Sequence, residues 1–241
     1  MKWRTNPLAE RIAVSEIFGP TLQGEGPHAG EPTVFVRTGG CDFRCSWCDS
    51  LHAVDPQFAP TWLRMDPTEI LAELSKLWTA APPCSLTLSG GNPAIWNGLG
   101  AVAAHWPGPV RLETQGTIVP TWLSEVTTIV VSPKPPSSGQ PGSSQLQEFM
   151  QSVPSTCETV FKIACDTRDD LEWAVATHAP YKHQAPLLYI QPVNDPTTDL
   201  GRDELIARWE RLWGWLSPMR LPYVRLSHQQ HVLAWGNTKG V

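Results

Sequence analysis

The chain has 241 residues, of which 41% are hydrophobic and 17% charged, and a formal charge of −5. That is enough apolar material for a folded core and too little charge for a disordered polymer, and the length suits one large domain spanning 1–241. The negative balance argues against a phosphate-backbone partner. No apolar run approaches the roughly 18 residues of a membrane span, and the opening MKWRTNPLAERIAVSEIF lacks a continuous signal-peptide core. Nucleic-acid, membrane and secreted readings are therefore excluded, and a cytoplasmic location is expected.

The 24 prolines and 12 tryptophans predict short elements, many turns and aromatic wedges rather than long helices. Residues 33–38 alternate around Val34, Phe35 and Val36 and end in Gly39-Gly40, so a strand runs straight into a cysteine loop. Asp66, then Pro67, then Ile70, Leu71, Leu74, Leu77 and Trp78 at spacings of three and four predict a capped helix to about Trp78. Apolar runs recur at 85–88, 110–112, 128–131, 159–163 and 187–190, interleaved with helical patterns at 169–178 and 202–216. Strand and helix alternate, which favours an α/β architecture with a parallel sheet or barrel.

Several predicted strands end in small or polar residues: Ser89-Gly90-Gly91-Asn92, Glu113-Thr114-Gln115-Gly116, Ser132-Pro133-Lys134 and Gln191-Pro192. Ligands of α/β sheets and barrels sit at the strands' carboxyl ends, so these tails are expected to share one rim with the cysteines. The low-complexity stretch 133–144 reads as an exposed loop. Trp209, Trp213 and Trp215 are expected to pack helices.

The six cysteines are Cys41, Cys45, Cys48, Cys84, Cys157 and Cys165. Three fall within eight residues in a chain with no secretory signal, a pattern of metal ligands or catalytic thiols rather than of a disulfide framework. The other three read as small buried hydrophobes. Cys41, Cys45 and Cys48 form a CxxxCxxC array whose thiolates can each reach a different iron of a cubane, and a three-cysteine set leaves one iron open to a ligand. The competing reading is a structural zinc site, which needs a fourth ligand and has His52 as the local candidate.

With this array the sequence resembles the radical S-adenosylmethionine superfamily. On a set of ordered blocks it is similar, more narrowly, to the 7-carboxy-7-deazaguanine synthase family. Those blocks are Glu16-Ile17-Phe18, Leu22-Gln23-Gly24-Glu25-Gly26, Phe35-Val36-Arg37, the cysteine loop continuing into Asp49-Ser50, Ser89-Gly90-Gly91-Asn92-Pro93, Glu113-Thr114-Gln115-Gly116, Ser132-Pro133-Lys134 and the run from Arg225 to His231. The resemblance implies a partial (β/α) barrel of the radical SAM type, a 4Fe–4S cluster on Cys41, Cys45 and Cys48, and S-adenosylmethionine chelated at the open iron. It also implies Mg2+ held by Ser50, where the family more often has threonine. The implied reaction is that of a carbon–nitrogen lyase in queuosine-type 7-deazapurine biosynthesis. A 5′-deoxyadenosyl radical takes a hydrogen atom from 6-carboxy-5,6,7,8-tetrahydropterin, and ring contraction with loss of ammonia gives 7-carboxy-7-deazaguanine. A flavodoxin-type electron donor and a homodimer are the implied partners.

The same resemblance distributes roles. Arg37 becomes a ligand of the substrate carboxylate, Gln23 with the backbone of Leu22 and Gly24 holds the pterin edge, and Ser89 is a further substrate contact. Trp47, Cys48 and Asp49 fall on the cofactor side, as do Gly91 and Asn92, where many superfamily members have GGEP and this chain has GGNP. Glu113, Ser132, Pro133 and Lys134 complete the cofactor set, with Gln115 expected to reach the same cavity. The end of the chain, Asn237 to Val241, corresponds to a tail that some members use in the substrate pocket. A glycyl-radical-enzyme activase shares the cysteine array, and a non-catalytic zinc-binding module is the alternative of a different class.

Overall fold

The sheet has nine strands in the order β3-β1-β2-β4-β5-β6-β7-β8-β9. The structure is a computed structural model describing residues 10–140, 142, 144–195 and 201–240. The strands are β1 Ile12–Leu22, β2 Pro32–Thr38, β3 Leu63–Met65, β4 Ser85–Gly90, β5 Val110–Thr114, β6 Thr128–Val131, β7 Glu158–Cys165, β8 Leu188–Pro192 and β9 Val224–Leu226. From β2 to β9 every pairing is parallel, as the strand–helix alternation implies. One edge departs from the parallel pattern: β1 pairs antiparallel with both β2 and β3. Only residues 23–31 separate β1 from β2, too few for the dozen or so that a parallel crossover needs. The curved sheet does not close, since β3 and β9 remain its edges, and the result is a partial barrel.

The helices are α1 Leu51–Val54, α2 Pro67–Leu77, α3 Leu99–His105, α4 Leu146–Ser152, α5 Arg168–His178, α6 Arg202–Leu216 and α7 Gln230–Trp235. Asp66 starts α2 by accepting the N–H groups of Thr68 and Glu69 at 2.9 and 3.0 Å, while the Glu69 carboxylate accepts the Asp66 N–H at 2.8 Å. The helix then buries Ile70 and Leu74 against the sheet. At α5, Thr167 accepts from Asp170 N–H at 3.1 Å. The longest helix, α6, has 15 residues and buries Leu205, Leu212 and Leu216.

Alternation along each strand divides the sheet into two faces. Leu86, Leu88, Leu112, Ile129, Val131, Phe161, Ile163 and Ile190 join the helices in one apolar core. Most of the residues between them are polar, Val130 being an apolar exception, and several bond to one another across the barrel interior. Thr33 and Thr87 hydroxyls meet at 2.9 Å, Arg111 Nη1 donates to Ser85 Oγ at 2.8 Å, and its Nη2 pairs with Glu31. Cys84 and Cys165 are buried as expected, whereas Cys157 is half-buried with its thiol on the Val126 carbonyl at 3.1 Å. Trp215 packs against the core, but Trp213 does not: it is 52% exposed, because α6 turns that position away from the sheet.

Candidate active site

The carboxyl ends of β2, β4, β5, β6, β7 and β8 open into one cavity of about 420 Å³, closed at its sides by residues 22–25 and 236–240. Cys41, Cys45 and Cys48 line it. So do Leu22, Gln23, Gly24, Arg37 and Ser89. Trp47, Asp49, Ser50, Gly91, Glu113, Ser132 and Lys134 complete the shared rim, together with Gln115. Asn92 and Pro133 do not line the cavity. Asn92 is fully buried, and its amide is engaged by protein: Nδ2 donates to Asp42 and Thr117, and Oδ1 accepts from Thr114 Oγ1 at 2.9 Å and Ala94 N–H at 3.2 Å.

The cysteine loop leaves β2 through Gly39 and Gly40, whose N–H groups bond to Ala13 and Ala53 carbonyls at 2.8 Å each. Gly91 runs so close beneath it that a Cβ there would collide with the Gly40 carbonyl and the Cys41 side chain, so the position has room for glycine only. On its other side the loop rests on residues 137–140. Ser46 bonds to Ser137 and Ser138 carbonyls at 3.0 Å, Trp47 Nε1 donates to Ser137 Oγ at 3.1 Å, and Gln140 Nε2 to the Arg44 carbonyl at 2.7 Å. The low-complexity stretch is thus no free loop. Ser138 is fully buried, and Asp170 of α5 anchors the Ser137 N–H at 3.0 Å.

The three thiols suit a cluster. Burial raises all three, with Cys48 pushed up to about 12 by burial first and then by the Asp49 charge, so they would need a bound cation to become thiolates near neutral pH. The Cys41 sulfur already accepts from Phe43 N–H at 3.4 Å and Gln115 Nε2 at 3.5 Å, the kind of hydrogen bond that tunes cluster sulfurs. Among the described residues no three His, Cys, Asp or Glu side chains converge as one metal ion requires. His52, the spare zinc candidate, instead meets Glu16 Oε1 at 2.5 Å.

Arg37 sits beside the cysteine loop. Its Nε lies 3.3 Å from Glu16 Oε1, its Nη1 donates to Ser50 Oγ at 3.2 Å, and its guanidinium lies 5.6 Å from the Phe18 ring centroid. Burial pushes the Glu16 carboxyl up, but the bond from His52 and the charges of Arg37 and His52 outweigh it and keep Glu16 low. Ser50 Oγ in turn donates to Asp49 Oδ1 at 3.2 Å, which puts a hydroxyl and a carboxylate oxygen side by side at the rim.

Below them lies a polar network. Glu113 accepts from Ser89 Oγ at 2.9 Å and Gln23 Nε2 at 3.2 Å and has Lys162 Nζ at 3.6 Å. Lys162 also pairs with Glu25, which accepts from Gln229 Nε2 at 2.5 Å and Gln191 Nε2 at 3.2 Å. Gln191 lines the cavity as its strand-end position implies, and Glu25, Lys162, Asn194 and His231 line it without having been assigned a role from the sequence. Glu25 and His231 lie in the family-like segments Leu22–Gly26 and Arg225–His231. Lys162 offered one cue, a lone cation in the apolar run 159–163. Gln191 Oε1 and Asn194 Oδ1 are buried without a partner, acceptors left open toward a ligand. Gly24 lies under His231, where any Cβ would strike the imidazole, and the Gly24 carbonyl accepts from Gln230 N–H at 2.9 Å. The segment from Gly236 to Gly240 completes the wall, and Val241 lies outside the described residues.

No protein-family model matches the chain. A 7-carboxy-7-deazaguanine synthase from Bacillus subtilis is 37% identical to it, over 97% of this chain and 100% of that protein. The chain belongs to the 7-carboxy-7-deazaguanine synthase family. A second member, from Bacillus cereus, is 32% identical over 96% of this chain and 99% of that protein. The crystal structure of QueE from Escherichia coli superposes with a TM-score of 0.64 at 24% identity, covering 92% of this chain and 95% of that one, and supports the partial-barrel fold. Membership makes the chain a radical SAM lyase with a 4Fe–4S cluster and S-adenosylmethionine as its cofactors. It does not favour a glycyl-radical activase or a zinc module.

Proposed function

We propose that this enzyme converts 6-carboxy-5,6,7,8-tetrahydropterin to 7-carboxy-7-deazaguanine with loss of ammonia. The observation that carries the reading is the meeting, in one cavity, of the three cysteines with Arg37, Gln23 and Ser89. Cys41, Cys45 and Cys48 would hold the cluster, which with bound S-adenosylmethionine supplies a 5′-deoxyadenosyl radical. Trp47, Asp49, Gly91, Ser132 and Lys134 are the proposed cofactor contacts, with Pro133, itself outside the cavity lining, setting the turn between the last two, and the open acceptors of Gln191 and Asn194 join them. Asn92, with its amide consumed, serves that side by fixing Asp42 and Thr114.

Arg37 presents its planar fork to the substrate carboxylate, with Glu16 holding the guanidinium in place. The Gln23 amide and the backbone of Leu22 and Gly24 take the pterin edge, and Ser89 adds a hydroxyl. Glu113 was expected among the cofactor contacts, but its bonds to Gln23 and Ser89 support a place under the substrate. Mg2+ would sit at Ser50, where the hydroxyl and the Asp49 carboxylate offer the hard oxygens it prefers, close enough to Arg37 to bridge to the substrate. A flavodoxin-type donor for the electron, a homodimer and a cytoplasmic location complete the proposal. In its favour on the last point, no helix among the described residues is long and apolar enough to cross a membrane.

The test is anaerobic incubation of the reduced, reconstituted enzyme with S-adenosylmethionine and the carboxytetrahydropterin, followed by mass spectrometry. 5′-Deoxyadenosine and 7-carboxy-7-deazaguanine should form together. Cleavage of the cofactor with the pterin recovered unchanged would overturn the substrate assignment.

A further inference from the structure

Lysine is almost never fully buried unless paired, yet Lys162 is 7% exposed in a strand whose neighbours, Phe161 and Ile163, belong to the apolar core. Its two partners come from distant parts of the chain, Glu25 after β1 and Glu113 on β5. Glu25 is held from the far side of the barrel by Gln191 of β8 and by Gln229 ahead of α7. The network therefore ties both flanks of a sheet that its strands leave open.

More is fixed than charge. Gln23 Nε2 donates to Glu113 at 3.2 Å while its Oε1 accepts the Glu25 N–H at 3.2 Å, so both ends of the amide are engaged and it cannot flip without losing both bonds. Ser89 Oγ donates to the second Glu113 oxygen at 2.9 Å. Remove the ammonium and Glu113 loses the only cation within ion-pair distance of it among the described residues, while Glu25 keeps Gln191, Gln229 and the nearby His231. Burial alone would push Lys162 down and Glu25 up. The carboxylates of Glu113 and Glu25, with Asp49 beyond, reverse the first, and Lys162 followed by His231 reverses the second, so the pair stays charged.

We propose that Lys162 is a positioning residue for the pterin: clamped between Glu25 and Glu113, it fixes the Glu113 carboxylate and through it the Gln23 amide and Ser89 hydroxyl that read the ring. This rests on the substrate reading given above. A heterocycle edge of alternating donors and acceptors is recognised only by groups whose own orientation is set, which is what the clamp provides.

The experiment compares the reconstituted wild type with Lys162→Met and Lys162→Arg, measuring equilibrium binding of the pterin and of S-adenosylmethionine separately, KM and kcat for the pterin, and the thermal midpoint. Both variants should bind the pterin at least tenfold more weakly, with a matching rise in KM, and bind S-adenosylmethionine within twofold of wild type. Arginine keeps the charge but replaces the compact ammonium with a planar fork, so it should recover the midpoint lost by methionine without recovering pterin affinity. Pterin binding within twofold of wild type in Lys162→Arg, or equal weakening of both ligands, would overturn the proposal in favour of a purely structural role. If Lys162→Met does not fold, Lys162→Arg decides by the same criterion. A wild type that neither binds nor converts the pterin would instead overturn the substrate reading, and this inference with it.

Discussion

β4 sets two chemistries side by side. Leu86 and Leu88 are fully buried among the helices, while Thr87 and Ser89, one position along, bond to Thr33 and Glu113 inside the barrel. The same alternation recurs on β5, where Leu112 separates Arg111 from Glu113, and on β7, where Phe161 and Ile163 flank Lys162. The outer face holds the fold together by area and packing. The inner face, despite Phe35 and Val130 buried on it, is dominated by polar side chains, several of which line the cavity. A change on one face should therefore be felt differently from a change on the other.

The greatest separation is expected at the rim. Cys45→Ala should abolish the cluster and all cofactor cleavage, measured as iron, sulfide and 5′-deoxyadenosine, while the thermal midpoint of the cluster-free protein stays near that of cluster-free wild type. Normal cluster content in this variant would show that the array is not the ligand set. Next comes Arg37→Ala. Losing a charge partner while the other charge is left buried typically costs about 2–5 kcal/mol, so pterin affinity should drop by well over tenfold with cluster content intact. Equilibrium binding checks it.

Ser50→Ala should be milder in binding but plain in product yield. The cluster and some uncoupled cofactor cleavage persist, most product formation is lost, and more magnesium is required. Magnesium titrations of product yield that coincide with wild type would remove Ser50 as a ligand. The smallest effect belongs to the outer side. His178 is fully buried beside Phe161 with its Nε2 on the Ala185 carbonyl at 2.7 Å, and burial pushes its pKa down. A histidine held neutral in the fold binds fewer protons than in the unfolded chain, so stability is full above about pH 6.5 and declines as pH falls below it. Unfolding of wild type at pH 7.5 and 5.5 should show this decline, and His178→Gln should reduce it.

What the sequence made legible follows from the same division. β2, α2, β4 to β8, α5 and α6 carry regular periods or caps, and Asp66 with Glu69 forms the capping box that fixes the start of α2. β1 was not legible. Its register shifts twice along β2, and Gly19-Pro20 interrupts the pattern. β3 and β9, at three residues each, are too short to show a period. In the site, the contiguous cysteine array and the strand-end blocks were readable because their residues are adjacent in the chain. Lys162, Glu25 and Gln229 were not, because their meaning lies in contacts across 137 or more positions, such as Lys162 with Glu25. The docking of residues 137–140 onto the cysteine loop was hidden for the same reason, under a composition that reads as an unstructured linker.

Leu88 and Ser89 allow the division to be tested on adjacent residues. Pterin affinity, measured by equilibrium titration of reconstituted Leu88→Ala and Ser89→Ala with urea unfolding run on the same samples, is the most direct measurement. Leu88→Ala should lose about 2–5 kcal/mol of stability and keep wild-type pterin affinity once folded. Ser89→Ala, which removes one hydrogen bond to the Glu113 carboxylate, should lose about 1.5–3 kcal/mol of stability and, unlike Leu88→Ala, bind the pterin several-fold more weakly. If instead both variants lost stability and affinity in parallel, the claim that the two faces of the sheet divide folding from recognition would be contradicted.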